Sequence, residues 1–187
     1  MKVFRSTTAR HVLPTAAIAL VGLLALPSSS AVAQAGSGTS GAVAGVAVGS
    51  MAPADLTLET LDGKPYALST LIGKRPVVIE FWATWCPLCR KLEPQLQAAR
   101  QQHGDRVAFV GIGVPENQSA ERQQQYITEK QMSGLFLFDR TNSASKAFRV
   151  PHTSYLVVLD AKGTVVYTGV GADQNVEEAV RRALPTR

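Results

Sequence analysis

Residues 77–89 read Val77-Val78-Ile79-Glu80-Phe81-Trp82-Ala83-Thr84-Trp85-Cys86-Pro87-Leu88-Cys89, and they contain both cysteines of the chain. Pro76 introduces a continuous apolar run with β-branched residues, which is the pattern of a strand covered on both faces. A helix is expected from about Cys86, with Leu92, Leu96 and Ala99 on one side and His103-Gly104 closing it. Such a start places the Cys86 sulfur beside unpaired backbone N–H groups and the positive end of the helix dipole, which favours thiolate over thiol. Pro87 suits the first helical position because it has no N–H to waste. Three residues apart, the two side chains meet on one face within disulfide reach, and Cys89 is expected to lie deeper and more shielded. Cys86 is thus the candidate reactive thiol and Cys89 the candidate resolving thiol.

Working outward, Leu56, Leu58 and Leu61, the turn Asp62-Gly63, then Tyr66 and Leu68 suggest a hairpin with a loose second strand. Val107 to Val114 reads as a second buried strand, Ser119 to about Met132 as a polar helix, Leu135 to Phe138 as a short strand and Ser143 to Phe148 as a short helix. Tyr155 to Leu159 and Thr164 to Thr168 flank Asp160-Ala161-Lys162-Gly163, a hairpin signal. Val176 to Leu184 forms a last helix. This alternation predicts an α/β domain with a mixed central sheet flanked by helices.

The 187 residues are 45% hydrophobic and 18% charged, a globular balance too apolar for a wholly disordered chain. The net charge of +5 is misleading. Lys2, Arg5 and Arg10 lie in the first 33 residues, where there is no acid, and without them 16 basic residues face 14 acidic ones. No nucleic-acid partner is expected. The same three cations precede an apolar stretch from Ala16 to Leu26 and a small-residue site, Ala31-Val32-Ala33. Residues 1–33 therefore read as a signal peptide, with an uncleaved anchor as the alternative. Residues 34–50, QAGSGTSGAVAGVAVGS, read as a flexible tether, because they carry no charge and little to bury. Residues 51–187 are enough for one core.

Phe81-Trp82-Ala83-Thr84-Trp85-Cys86-Pro87-Leu88-Cys89-Arg90 resembles the active-site segment of thioredoxin-like proteins, in the form typical of the extracytoplasmic TlpA and ResA type. Pro53-Ala54-Asp55-Leu56-Thr57-Leu58 with Leu61-Asp62-Gly63-Lys64 is similar to that subgroup as well. The resemblance implies a thioredoxin fold with an N-terminal β-hairpin extension, periplasmic thiol–disulfide exchange with protein disulfides or thiols, and a membrane electron donor recharging the pair. It also implies a reducing direction, with cytochrome c maturation or extracytoplasmic protein thiols as targets. No cofactor beyond the redox-active disulfide is expected, and the protein is expected to act as a monomer. Glu80 stands where thioredoxins carry a buried acid that serves the resolving thiol. Independently, a carboxyl between Ile79 and Phe81 is poorly solvated, so its acid form is favoured. The competing reading is a strand-end Glu reaching solvent or a lysine. Pro94 matches the kinking proline of the family's helix.

On the substrate side the resemblance implies contacts from Trp85, Pro87, Thr153 and Ser154. The family holds a cis-proline opposite its cysteines, and counting four from Val150 or back nine from Gly163 places that position at Ser154. A cis bond before a non-proline residue costs about 2.5–4 kcal/mol, so the Thr153-Ser154 peptide is expected to be trans or strained. Val150-Pro151-His152-Thr153 resembles the histidine segment of Sco-type copper chaperones, although those space their cysteines by three residues. The alternative function is accordingly Cu(I) carriage by Cys86, Cys89 and His152. His103 reads as a helix C-terminal cation. A peroxidase of the peroxiredoxin type lacks its Pro-x-x-x-Thr/Ser-x-x-Cys approach here. A purely structural disulfide would close too little chain to stabilise much.

Overall fold

The computed structural model describes residues 45–185. The leader reading and most of the proposed tether lie outside them. The elements run β1 (Thr57–Thr60), β2 (Pro65–Ala67), β3 (Val77–Trp82), α1 (Pro87–His103), β4 (Ala108–Gly113), α2 (Ala120–Glu129), β5 (Leu135–Phe138), α3 (Ser143–Ala147), β6 (Tyr155–Leu159), β7 (Val165–Val170) and α4 (Val176–Ala183). They form one seven-stranded sheet in the order β2-β1-β5-β4-β3-β6-β7. β3 pairs parallel with β4 and antiparallel with β6, so the sheet is mixed and the apolar run lies at its interior. The hairpin β1–β2 is part of the same sheet, because β1 also pairs with β5. Among the described residues no helix is long and apolar enough to cross a membrane.

Every residue of β3 is buried, and the period of two divides its side chains between two layers. Val77, Ile79 and Phe81 join Val157 and Leu159 in one cluster, where the Phe81 ring lies 5.4 Å from that of Phe148 at the end of α3. Val78 joins Leu156, Val158 and the apolar faces of α1 (Leu92, Leu96, Ala99) and α4 (Val176, Ala179, Val180). Glu80 has the parity of Val78 and therefore points beneath α1. That parity positions the site.

One expectation is corrected. Residues 45–50, assigned to the tether on composition, are held against the domain. Val46 donates its N–H to the Tyr155 hydroxyl at 3.0 Å, Gly49 N–H to Val165 O at 2.8 Å, and Val165 N–H returns to Ser50 O at 2.9 Å. Poverty in large side chains did not matter, because backbone pairing along the exposed edge of β7 requires none. Gly45 packs so close that a Cβ there would meet the Tyr155 hydroxyl at 2.2 Å. His103 is the last residue of α1, as read from the sequence, and it is buried. Its Nε2 lies 3.0 Å from Glu177 of α4 and its Nδ1 3.1 Å from Arg106, which ties α1 to α4.

Asp139, fully buried after β5, caps α3. Its carboxylate accepts from the backbone N–H groups of Ala144 (3.1 Å) and Ser145 (2.7 Å) and from the hydroxyls of Ser143 (3.2 Å) and Ser145 (2.8 Å). Replacing it strands buried donors. Asp139→Ala is expected to lower stability by about 2–4 kcal/mol, read as a lower urea midpoint with unchanged slope, and Asp139→Asn by less because one acceptor oxygen remains.

Candidate active site

β3 ends at Trp82, and a turn through Ala83-Thr84-Trp85 delivers Cys86 to the start of α1. Gln118 of the loop before α2 holds this turn by accepting the Thr84 N–H at 2.9 Å. Cys86 is the N-cap residue, with extended backbone (φ −79°, ψ 111°), and Pro87 follows at the first helical turn. The Cys86 Sγ accepts the backbone N–H of Cys89 at 3.0 Å, the bond that a serine or aspartate oxygen makes at an ordinary helix start. The two cysteines form a disulfide with Cα atoms 5.4 Å apart. Pro94 lies inside α1 as expected.

Shielding differs from expectation. Cys86 and Cys89 are 2% and 5% exposed, so Cys89 is not the more covered of the two. The disulfide draws both sulfurs over the same helical turn, and they share its shelter. Beside them Trp85 and Leu88 are exposed, and the Trp85 indole N–H is anchored on Glu116 O at 2.7 Å. Trp82 is buried, its ring 5.6 Å from Phe136 and 6.0 Å from Tyr126. A cavity of about 250 Å³ opens on the Cys89 side, lined by Cys89, Glu80, Trp82, Glu93, Tyr126 and Lys130, among others.

Glu80 is wholly buried with Oε1 unpaired, and desolvation, reinforced by the nearby Glu93 and opposed by Arg100, holds its carboxyl well above the usual carboxylate range. Glu80 is 6% exposed and, among the described residues, forms no ion pair with a lysine, so it is not the surface-reaching strand-end Glu of the competing reading. Sequence reasoning missed Glu93 and Arg100. Glu93 is itself raised by burial, against the pull of Arg100. The available signal was spacing: Glu93 follows Cys89 by four residues and Arg100 follows Glu93 by seven, which keeps all three on one helical face.

The far side of the site also departs from expectation. Ser154 is fully buried with φ 65°, donates its N–H to Phe81 O at 2.8 Å and its hydroxyl to Gly171 O at 3.1 Å, and accepts from Gly171 N–H at 3.1 Å. Its backbone is therefore committed inside the fold and is not available to an incoming strand. Thr153 beside it is half-buried. Proline fits this position in neither respect, being fixed near φ −65° and lacking an N–H. His152 is exposed, and among the described residues no three His, Cys, Asp or Glu side chains are placed to hold a metal ion. The set Cys86, Cys89 and His152 is thus not assembled.

A vicinal pair that opens and closes beside a buried acid, on this sheet, is the working centre of thioredoxin-like thiol–disulfide oxidoreductases, and this chain is one of them. It belongs to the Redoxin family, whose sequence profile matches residues 47–184. It is 28% identical over 139 residues to the thioredoxin-like protein YneN of Bacillus subtilis, covering 72% of this chain and 79% of that one. It is 26% identical over 145 residues to the thiol-disulfide oxidoreductase ResA of Geobacillus thermodenitrificans, covering 75% and 80%. The crystal structure of a secreted Mycobacterium tuberculosis disulfide oxidoreductase superposes with a TM-score of 0.59 at 27% identity, covering 69% of this chain and 95% of the other.

Two outcomes test this geometry. A carboxyl raised in the native state binds more protons there than in the unfolded chain, so its contribution is intact below the unfolded value and stability falls as pH climbs through the folded one. Glu80→Gln is expected to stabilise the oxidised protein increasingly from pH 4 to pH 8, measured by urea unfolding across that range; a pH-independent difference contradicts the buried acid. Ser154→Pro is expected to cost at least about 3 kcal/mol, since it loses a hydrogen bond and cannot take the observed φ, and a thermal melt as high as the parent's refutes the register at Ser154.

Proposed function

We propose that the protein is an exported, reducing thiol–disulfide oxidoreductase in which Cys86 is the exchanging sulfur, Cys89 the resolving thiol and Glu80 its proton acceptor. The observation that carries this reading is the hydrogen bond from the Cys89 N–H to the Cys86 Sγ at the start of α1. In the dithiol form the same donor and the helix dipole favour negative charge on that sulfur. The Cys86 thiolate attacks a substrate disulfide, forming a mixed disulfide while the first substrate sulfur leaves as thiolate. Cys89 then gives its proton to the Glu80 carboxylate and attacks the Cys86 sulfur. The second substrate sulfur departs, and two electrons have passed from the protein to the substrate.

Glu80 suits the second step because Cys89 and Glu80 line the same cavity, and a desolvated carboxylate is a stronger base than a solvated one. The scheme draws on no nucleotide, flavin or metal. Thr153, with the exposed Trp85, Pro87 and Leu88, forms the surface offered to the incoming polypeptide. Export is supported by the basic and apolar pattern of residues 1–33 and by the secreted character of the M. tuberculosis relative. A reducing direction, with a membrane electron donor and cytochrome c or other extracytoplasmic thiols as targets, is supported by the resemblance to the ResA type. The exposed position of His152 gives no support to copper carriage.

Insulin-disulfide reduction is the test. Cys86→Ser is expected to abolish turnover, and Cys89→Ser to stall with a substrate trapped on Cys86, visible by mass spectrometry. The Cys86/Cys89 potential, measured against a glutathione series, is expected near or below that of thioredoxin, about −270 mV; a value near the strongly oxidising −120 mV or so would reverse the proposed electron flow.

A further inference from the structure

The cavity beneath the disulfide is bordered by more charge than the exchange scheme uses. Glu93 lines it together with Glu80 and Cys89, and also lines a narrow pocket behind it with Glu80, Arg100, Phe109 and Phe136. Arg100 brings Nη1 to 3.7 Å from Glu93 Oε1, with the two side chains only 15% and 19% exposed. Its guanidinium carbon lies 5.6 Å from the centre of the Phe109 ring. Glu80 Oε1, Glu93 Oε1 and Arg100 Nε and Nη1 are all buried without a hydrogen-bond partner. The remaining charges at this cavity, Arg90 of α1 and Lys130 of α2, are exposed at its mouth, and the Lys130 ammonium lies over Tyr126.

We propose that Glu93 and Arg100 are positioning residues for proton transfer from Cys89, acting as opposed charges on Glu80 from one face of α1. The inference rests on Glu80 being the acceptor for the Cys89 proton. With Glu93 ionised against Arg100, the pair is neutral, and ionising Glu80 leaves one uncompensated negative charge in a poorly solvated space. Accepting the proton from Cys89 removes that charge, so Glu93 strengthens Glu80 as a base. Arg100 works the other way and keeps the ionised form of Glu80 accessible. Burial is the larger cause of the raised Glu80 carboxyl, and Glu93 adds to it against Arg100. The proton then leaves through the cavity, which has room for several waters at about 30 Å³ each.

The experiment follows a mixed disulfide between Cys86 and thionitrobenzoate and records the rate at which Cys89 expels the coloured thiolate as a function of pH. Glu93→Gln is expected to move the midpoint of the acid limb down by about one pH unit and Arg100→Gln to move it up by a similar amount. Arg100→Lys, which keeps the charge, is expected to retain the parent midpoint. A general loss of packing would slow both variants without moving their midpoints in opposite directions. Midpoints that stay fixed, or that move the same way, overturn the proposal. Where a variant fails to fold, the ¹³C carboxyl resonance of Glu80 in the unmodified protein serves instead: coupling requires an inflection where Glu93 titrates, and its absence overturns the proposal. Should Glu80→Gln leave the rate profile unaltered while the Glu80 resonance still shifts oppositely in the two variants, the opposed charges stand and Glu80 is not the acceptor.

Discussion

A sulfur atom caps a helix here, and the site is arranged around that substitution. The first N–H groups of any helix need an acceptor from outside it, and at α1 one acceptor is the Cys86 Sγ, 3.0 Å from the Cys89 N–H. The same bond fixes the conformation of the four-residue motif, and in the proposed dithiol form it would favour negative charge on the first sulfur. It requires that the chain leave β3, turn once and enter α1 at Cys86, which Pro87 assists with a φ already suited to the first turn. It also requires that β3 be immobile, and six consecutive buried residues, five of them paired on both sides, meet that demand.

Against that apolar strand, Glu80 is a local conflict. A buried carboxyl with an unpaired oxygen destabilises the fold wherever it ionises, and an apolar residue of the same parity as Val78 would pack beneath α1 without that cost. Violations of this kind concentrate at working sites. Glu93 and Arg100 extend the conflict along α1, since they place an ion pair at the boundary between the α1 face and β4 instead of the solvated position that a polar helix residue usually takes. The cavity beside Cys89 is the counterpart of this arrangement, because in the proposed exchange a proton taken from a sheltered thiol would need a path to solvent.

Much of this was legible in the sequence because it depends on periodicity. The five apolar residues of β3, the Leu92, Leu96 and Ala99 stripe of α1 and the Asp160–Gly163 turn carry their patterns within short windows, and the structure follows them closely. The features that escaped join residues far apart. Val46 reaches Tyr155 across 109 positions and His103 reaches Glu177 across 74, and neither pairing leaves a local trace. The failure at residues 45–50 had a different origin: composition measures what side chains can bury, whereas that segment is held by its backbone. Glu80 was accessible because its environment is set by its immediate neighbours, whereas Glu93 reaches the site only by helical projection.

Ser154 shows where counting from a resemblance reaches its limit. Spacing from Val150 and from Gly163 converged on one position for the family's proline, and the residue there satisfies a different set of constraints. Its N–H extends the pairing of β3 and β6 by one bond to Phe81 O, its hydroxyl and carbonyl hold the segment at Gly171, and its backbone occupies a region that proline cannot enter. This segment is therefore held by hydrogen bonding to β3 and to the end of β7 rather than by a rigid ring. Thr153, the preceding residue, takes its position from that network, so the substrate contact proposed at Thr153 depends on how firmly the Ser154 hydrogen bonds hold.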